Sequence, residues 1–214
     1  NTLEELKSSY SYKEVINKFI VEYINLKKKN ISEDYNQSIK DKIEKFKNNF
    51  LDYIFKKIEE EATNLYQISE AYTLSKFNTV ARSLSTTMGH LWEDLAICSN
   101  KVISPEIEFD LKIKGIDLII LKDDTPYYCQ MKTLEGTLTG SQVPRSKTEL
   151  NIHENAYFVS AFKTGTQWTF SSDTITRLVG EEFWSIIDVE YEMLLDEVKS
   201  MIKEIETSIL ELEI

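Results

Sequence analysis

The chain has 214 residues, 42% of them hydrophobic, which is enough for one large domain or for one domain with a helical extension. No apolar run approaches the roughly 20 residues of a membrane span and no leader-like segment is visible, so we expect a cytoplasmic protein without a membrane partner. The net charge is −11, but residues 178–214 carry 11 acidic and 2 basic side chains. The rest is nearly neutral, so the charge does not exclude a nucleic-acid partner.

The numbers and spacing of the cysteines and histidines argue against a zinc site. Cys98 and Cys129 lack metal-type spacing and are predicted to be small buried hydrophobic residues in a reducing compartment. With only His90 and His153, the sequence lacks the ligands of a zinc site.

Residues 1–77 have a helical pattern. Apolar side chains recur there at steps of three or four residues: Ile39, Ile43, Phe46, Phe50, Ile54 and Ile58. We expect two or three helices, with a break and restart at residues 30–34, where Ser32 has the side chain of an N-cap. The region is either a scaffold packed on a core or a dimerisation surface, and the pattern suits both.

The next helix carries an acidic residue that is a candidate for a site. Leu91, Leu95 and Cys98 recur at helical spacing within residues 78–100. Glu93 lies off this apolar stripe, so it need not be buried in the core and can face a neighbouring cleft.

Two neighbouring strands then present three polar side chains. Strands are expected in three places: 102–109, 116–121 and 127–133. Gln130 and Lys132 share one face of the third strand, because side chains two residues apart point the same way. A short hairpin with its turn at 122–126 sets Asp117 beside them. Burying such groups unpaired is costly, and a divalent metal with a phosphodiester is one partner that would satisfy them.

Residues 135–147 are rich in Gly, Ser and Thr and end in basic residues, which is typical of a loop. Its candidates for contacts with phosphates or base edges are Thr139, Ser141, Gln142, Arg145 and Lys147. An ordinary surface loop is the alternative interpretation.

The remaining elements complete an α/β pattern. They are a buried strand at 155–162, a further strand at 168–170, a helix opening at Gly180 and an acidic amphipathic helix over 191–214. The order of elements predicts a mixed central β-sheet flanked by helices, with a helical N-terminal region. We expect two parts, residues 1–77 and residues 78–214.

The combination of Glu93, Asp117 and the Gln130–Lys132 triplet resembles the PD-(D/E)xK nuclease superfamily, and within it the type II restriction endonucleases. The resemblance covers roughly residues 78–190. It implies a restriction-endonuclease-like core, in which a helical Glu, a strand Asp and a strand (D/E)xK surround magnesium.

Two positions depart from the family pattern. Gln130 stands where Glu or Asp is usual, and Ile116 precedes Asp117 in place of Pro. The glutamine form is familiar among Mrr-type nucleases. An amide oxygen is still a hard ligand, but it carries no charge, so weaker metal affinity is expected.

The resemblance also implies the roles of the site residues. Asp117 would anchor Mg²⁺, and Gln130 with the carbonyl of Met131 would complete its inner shell. Glu93 would hold a second metal or a metal-bound water. Lys132 would orient or activate the attacking water and stabilise developing negative charge.

The implied partners are double-stranded DNA and a second copy of the chain, because a two-fold dimer suits cleavage of both strands of a palindromic site. One alternative is an Mrr-like nuclease that acts on modified DNA or in repair. The other is a non-catalytic DNA-binding or assembly module on the same fold.

Overall fold

A computed structural model of the chain describes residues 12–28, 35–59, 64–165 and 167–211. The expected restart at residues 30–34, with Ser32, lies outside these ranges. Within them the helices are α1 (Tyr12–Lys28), α2 (Asn36–Glu59), α3 (Leu65–Ile68), α4 (Tyr72–Ala96), α5 (Pro105–Phe109), α6 (Val143–Leu150), α7 (Glu181–Ile186) and α8 (Tyr191–Glu211). The strands are β1 (Val102–Ile103), β2 (Leu118–Lys122), β3 (Thr125–Lys132), β4 (Ala156–Ser160) and β5 (Thr176–Val179).

The five strands form one mixed sheet in the order β1-β2-β3-β4-β5. The first three pair antiparallel, whereas β4 and β5 add in parallel to β3. Since parallel neighbours need a crossover, the chain between β3 and β4 passes through α6. This confirms the expected α/β class, with a mixed sheet, flanking helices and a helical N-terminal region.

The β2–β3 hairpin turns over two residues, Asp123 and Asp124. Both have left-handed backbone angles, with φ of 50° and 56°. A two-residue turn of this kind matches the twist of the strands, and Asp tolerates the conformation better than most residues. The turn therefore fixes the register in which Leu118 faces Cys129.

The described residues group into two compact units. The sheet unit falls within residues 1–35 and 96–191, and the helical unit falls within residues 36–95 and 192–214. This grouping differs from the expected boundary at residue 77, because α1 belongs with the sheet and α8 belongs with the helices.

Helix α1 belongs to the sheet unit through its buried face and two polar contacts. Ile20 and Ile24 are part of the same hydrophobic cluster as Phe158 of β4. The hydroxyl of Tyr128 donates to Asn17 Oδ1 at 3.0 Å, and Lys27 Nζ lies 2.8 Å from a carboxylate oxygen of Glu108. The N-terminal helix is thus part of the sheet unit's core.

The core of the helical unit joins two helices that are distant in sequence. From α2 it buries four residues of the expected apolar stripe: Ile39, Ile43, Phe50 and Ile54. From α8 it buries Leu194, Val198, Met201, Ile205 and Ile209. Lys40 and Lys47 of α2 form ion pairs with Glu197 and Glu204 of α8. Among the helices of the described ranges, none combines the length and apolarity needed to cross a lipid bilayer.

Two expected strands are wrong. In residues 102–109 only Val102–Ile103 is a strand, because Ser104 caps a short helix by accepting from the Ile107 N–H at 3.4 Å. Residues 168–170 are not a strand either, and the fifth strand is Thr176–Val179. The expected loop at 135–147 also ends early, since α6 begins at Val143.

Candidate active site

The hairpin brings Asp117 next to β3. Asp117 lies one residue before β2, whose first residue, Leu118, pairs with Cys129 of β3. Its backbone N–H donates to the Cys129 carbonyl at 2.9 Å. Its Oδ2 accepts from the Met131 N–H at 2.7 Å. The Asp117 carboxylate thus takes the place of the backbone carbonyl that would otherwise continue the β-ladder. This hydrogen bond holds Asp117 against β3, the strand that carries Gln130 and Lys132.

Gln130 has a buried oxygen that lacks a hydrogen-bond partner. The residue is 7% exposed, and its Oε1 accepts no hydrogen bond. Leaving a buried acceptor unsatisfied costs about 1–3 kcal/mol. An atom of this kind in a folded protein calls for an explanation, and an ion, a water or a ligand group is the usual one. Among the described residues two buried side-chain oxygens lack a partner, Asn100 Oδ1 and Gln130 Oε1, and Gln130 is the one on the strand to which Asp117 is bonded.

Lys132 and the Met131 carbonyl complete the group. Lys132 is half-buried. Because it comes two residues after Gln130, its side chain lies on the same face of β3. The Lys132 carbonyl accepts from the Ala161 N–H at 2.8 Å, on the β4 side of the strand. Carbonyls alternate along a strand, so the Met131 carbonyl points to the β2 side, where Asp117 lies.

Glu93 lies in the helical unit, on α4, and its side chain is half-buried. The other three residues belong to the sheet unit, so the prediction that Glu93 joins them stays a prediction. Within the described ranges no group of three or more His, Cys, Asp or Glu residues is placed to hold a metal ion. The candidate site on the hairpin has one acid, Asp117, together with oxygens of other chemical types.

Cys129 is adjacent to the candidate site but has the wrong chemistry for it. Burial raises the pKa of the Cys129 thiol, and the negative charge of Asp117 raises it further. The sulfur therefore stays protonated at neutral pH and is neither a nucleophile nor a good metal ligand. Cys98 and Cys129 are both buried thiols and are not joined in a disulfide, as expected.

The predicted DNA-contact residues begin with three exposed side chains that bond to one another. The Thr139 and Ser141 hydroxyls are 3.1 Å apart, and Gln142 Oε1 accepts from the Thr139 N–H at 2.9 Å. Arg145 and Lys147 lie on α6 and not in a loop, because the helix begins at Val143. They therefore project from a helix, which corrects the expectation that they lie in a loop.

Arg145 is held by a buried acid that also touches the turn before Asp117. Its Nε donates to Glu149 Oε1 at 2.7 Å, and this contact raises the pKa of Arg145. A Cβ added at Gly115 would lie 2.5 Å from Glu149 Oε2, and Gly115 has a φ of +74°. Lys114 Nζ is 3.7 Å from the same carboxylate. Glu149 was not expected from the sequence, and it ties α6 to the start of the hairpin.

Glu135 is a second acid that the sequence did not single out. It is 3% exposed and follows β3 directly. Its carboxylate accepts from the N–H groups of Thr164 and Gly165 and from the Thr164 hydroxyl, at 2.9–3.3 Å. Burial by itself would raise the pKa of Glu135, but these hydrogen bonds outweigh it and leave the pKa lowered. Glu135 therefore fixes the chain after β4 and is not available as a ligand.

The fold and these contacts define an α/β protein whose central hairpin carries an acid, an amide and an amine: Asp117, Gln130 and Lys132. No protein-family model matches the chain, and no curated protein is significantly similar to it.

Proposed function

We propose that the chain is a magnesium-dependent endonuclease that hydrolyses phosphodiester bonds of double-stranded DNA at a specific site, as type II restriction endonucleases do. The observation that carries the proposal is the buried Gln130 Oε1, which lacks a hydrogen-bond partner and lies on the strand to which Asp117 is bonded. A cation bound there would satisfy the oxygen.

The residues present fit magnesium. Mg²⁺ prefers hard oxygen ligands, and the Asp117 carboxylate, the Gln130 amide oxygen and the Met131 carbonyl are all of that type. When bound, the ion would act as a Lewis acid on the phosphate and lower the pKa of a coordinated water. Asp117 would supply the negative charge, while its bond to the Met131 N–H keeps the carboxylate in place.

Lys132 would act on the substrate. Its ammonium lies on the same face of β3 as Gln130, so it would meet a phosphate held at the site. There it would orient the attacking water by hydrogen bonding and stabilise the negative charge that develops on the phosphate oxygens. Thr139, Ser141, Gln142, Arg145 and Lys147 would then contact the flanking DNA.

A homodimer is part of the proposal, since two active sites would cut both strands. Exposed apolar side chains on α3 and the start of α4 support it. Leu65 is 73% exposed, Ile68 is 70% exposed, and Tyr72 and Leu74 are also exposed. Large exposed apolar side chains close together along the chain are a feature of protein–protein interfaces.

A non-catalytic DNA-binding or assembly module is the second candidate. The neutral Gln130 favours it, because the position that usually supplies a second acid does not do so here. Such a module would bind DNA without cutting it.

The test is cleavage of plasmid and phage DNA in Mg²⁺, with the full chain and two site variants. Asp117→Asn and Lys132→Ala are expected to lose activity by roughly 100-fold or more, because each removes a charge used in the transition state. Lys122→Ala is the matched control, since Lys122 is an exposed lysine at the far end of β2 in the same hairpin. Circular dichroism checks that the variants fold.

The outcomes separate the candidates. Discrete fragments, lost in the two site variants and kept in Lys122→Ala, support a site-specific nuclease. A smear supports a general nuclease. DNA binding without cleavage by the unmodified chain supports the module. Cleavage by Lys132→Ala at the original rate contradicts the assigned mechanism.

A further inference from the structure

The helical unit carries an open groove between α2 and α4, which we call the α2–α4 groove. Tyr53 of α2 lines three adjoining cavities of about 410, 360 and 580 Å³. The first reaches Lys42 and Lys45, the second reaches Arg82 on α4, and the third reaches Lys56. The first two cavities lie between α2 and α4, and the third adjoins them at Tyr53 on the surface of α2.

The groove is basic although the chain is acidic. Five basic residues line it, namely Lys42, Lys45, Lys56, Lys57 and Arg82. Only two acidic residues, Asp52 and Asp94, do so. In a chain of net charge −11, this local excess of positive charge marks the surface as a site for an anion.

The lysines of helix α2 have different surroundings on its two sides. Lys40 and Lys47 are neutralised by glutamates of α8, as described above. Among the described residues no ion pair engages Lys45, Lys56 or Arg82, and all three are exposed. Clustered like charges repel one another, and a polyanion in the groove would relieve that repulsion.

The groove floor also suits a nucleic-acid backbone. Tyr53 is 45% exposed, and Lys57 holds it in place by donating to its hydroxyl at 2.7 Å. Lys57 also donates to Ser83 Oγ at 3.0 Å, which links the two helices. Asn49 adds a side-chain hydrogen-bond donor along the groove.

The length of the groove matches a short stretch of duplex. Lys42 and Lys56 are fourteen residues apart on one helix, which corresponds to about 21 Å. At about 3.4 Å per step on each strand, this spans roughly six base pairs. We infer that the α2–α4 groove binds the phosphodiester backbone of double-stranded DNA, as an anchoring surface separate from the hairpin residues. The choice of DNA as the nucleic acid rests on the proposed function.

The experiment measures binding of a fluorescent 20-base-pair duplex to the full chain in EDTA, at several salt concentrations. Lys45→Ala/Lys56→Ala removes two exposed groove lysines. Lys199→Ala/Lys203→Ala is the matched control, because it removes two exposed lysines from α8 in the same unit. Each lost phosphate contact lowers the salt slope by about 0.9, so the groove variant is expected to bind roughly 60-fold more weakly at 0.1 M salt.

Each outcome decides the inference. Weaker binding and a smaller salt slope in the groove variant, with the control unchanged, support it. Equal binding by the groove variant and the unmodified chain overturns it, as does equal weakening in both variants. Displacement of the DNA by polyglutamate at the same charge concentration, or tighter binding of an RNA duplex, overturns DNA as the ligand. If the unmodified chain binds DNA without ever cutting it, and the groove variant loses that binding, this inference stands and the nuclease proposal fails.

Discussion

Replacing Gln130 with methionine should stabilise the fold and abolish activity at the same time. Methionine is unbranched and close to glutamine in size, so it fills the same space without a polar oxygen. Gln130 Oε1 is buried with no hydrogen-bond partner, and an unsatisfied acceptor of that kind costs about 1–3 kcal/mol. Gln130→Met should therefore raise the free energy of unfolding by that amount, which corresponds to a melting-temperature increase of roughly 2–12 °C in a chain of this size.

The assay is urea unfolding in EDTA, followed by both circular dichroism and tryptophan fluorescence, together with plasmid cleavage in Mg²⁺. Gln167→Met is the matched control, because Gln167 is an exposed glutamine of the same unit and its replacement should change stability by less than about 0.5 kcal/mol. A Gln130→Met chain that is less stable than the original would refute the reasoning, since the amide would then be satisfied in the fold. A stabilised variant that still cuts DNA would remove Gln130 from the metal site.

Two further predictions concern residues that position the site. Glu135→Gln should lower the free energy of unfolding by about 1–3 kcal/mol at neutral pH. Because hydrogen bonds lower the pKa of Glu135 in the folded chain, its contribution is full above the unfolded pKa of about 4.3 and is lost as the pH falls through the folded value. Denaturation should thus give a larger difference at pH 7 than at pH 3, and equal differences would contradict this. Gly115→Ala should cost about 2–5 kcal/mol, since its φ of +74° strains alanine and the new Cβ meets Glu149 at 2.5 Å. Gly140→Ala is the control, with no atom within 4 Å of the added Cβ, and a stable Gly115→Ala chain would be the contrary result.

The hairpin was predictable because its causes are local. Two apolar runs flank Asp123 and Asp124, and a two-residue turn sets the register without help from the rest of the chain. Alternation along β3 then places Gln130 and Lys132 on one face whatever packs around them.

The misassigned segments were decided by competing causes. In residues 102–109, apolar and polar residues alternate as in a strand, but the Ser104-Pro105 start signal prevails and gives a helix. In residues 168–170, the apolar side chains reflect burial without strand pairing, and Phe170 stacks on Phe158 with ring centroids 4.1 Å apart. A three-residue pattern such as Trp168-Thr169-Phe170 does not separate these two situations.

The contacts that support the candidate site could not be predicted from the sequence. Glu135 meets its partner Thr164 twenty-nine residues later, and Glu149 meets Gly115 thirty-four residues earlier. Neither pair has a local signature, because each depends on how the crossover returns the chain to the sheet. The unsatisfied oxygen of Gln130 likewise depends on every neighbour that fails to donate to it.

The alternation of the chain between its two units has a consequence for how the protein is made on the ribosome. The sheet unit is complete once residue 191 has been translated, whereas the helical unit still lacks α8. Until that helix emerges, the apolar stripe of α2 that includes Ile43 and Phe50 has no cover from Val198 or Met201. The nascent protein therefore finishes its sheet first, and premature termination just after residue 191 would release a folded sheet joined to an aggregation-prone pair of helices.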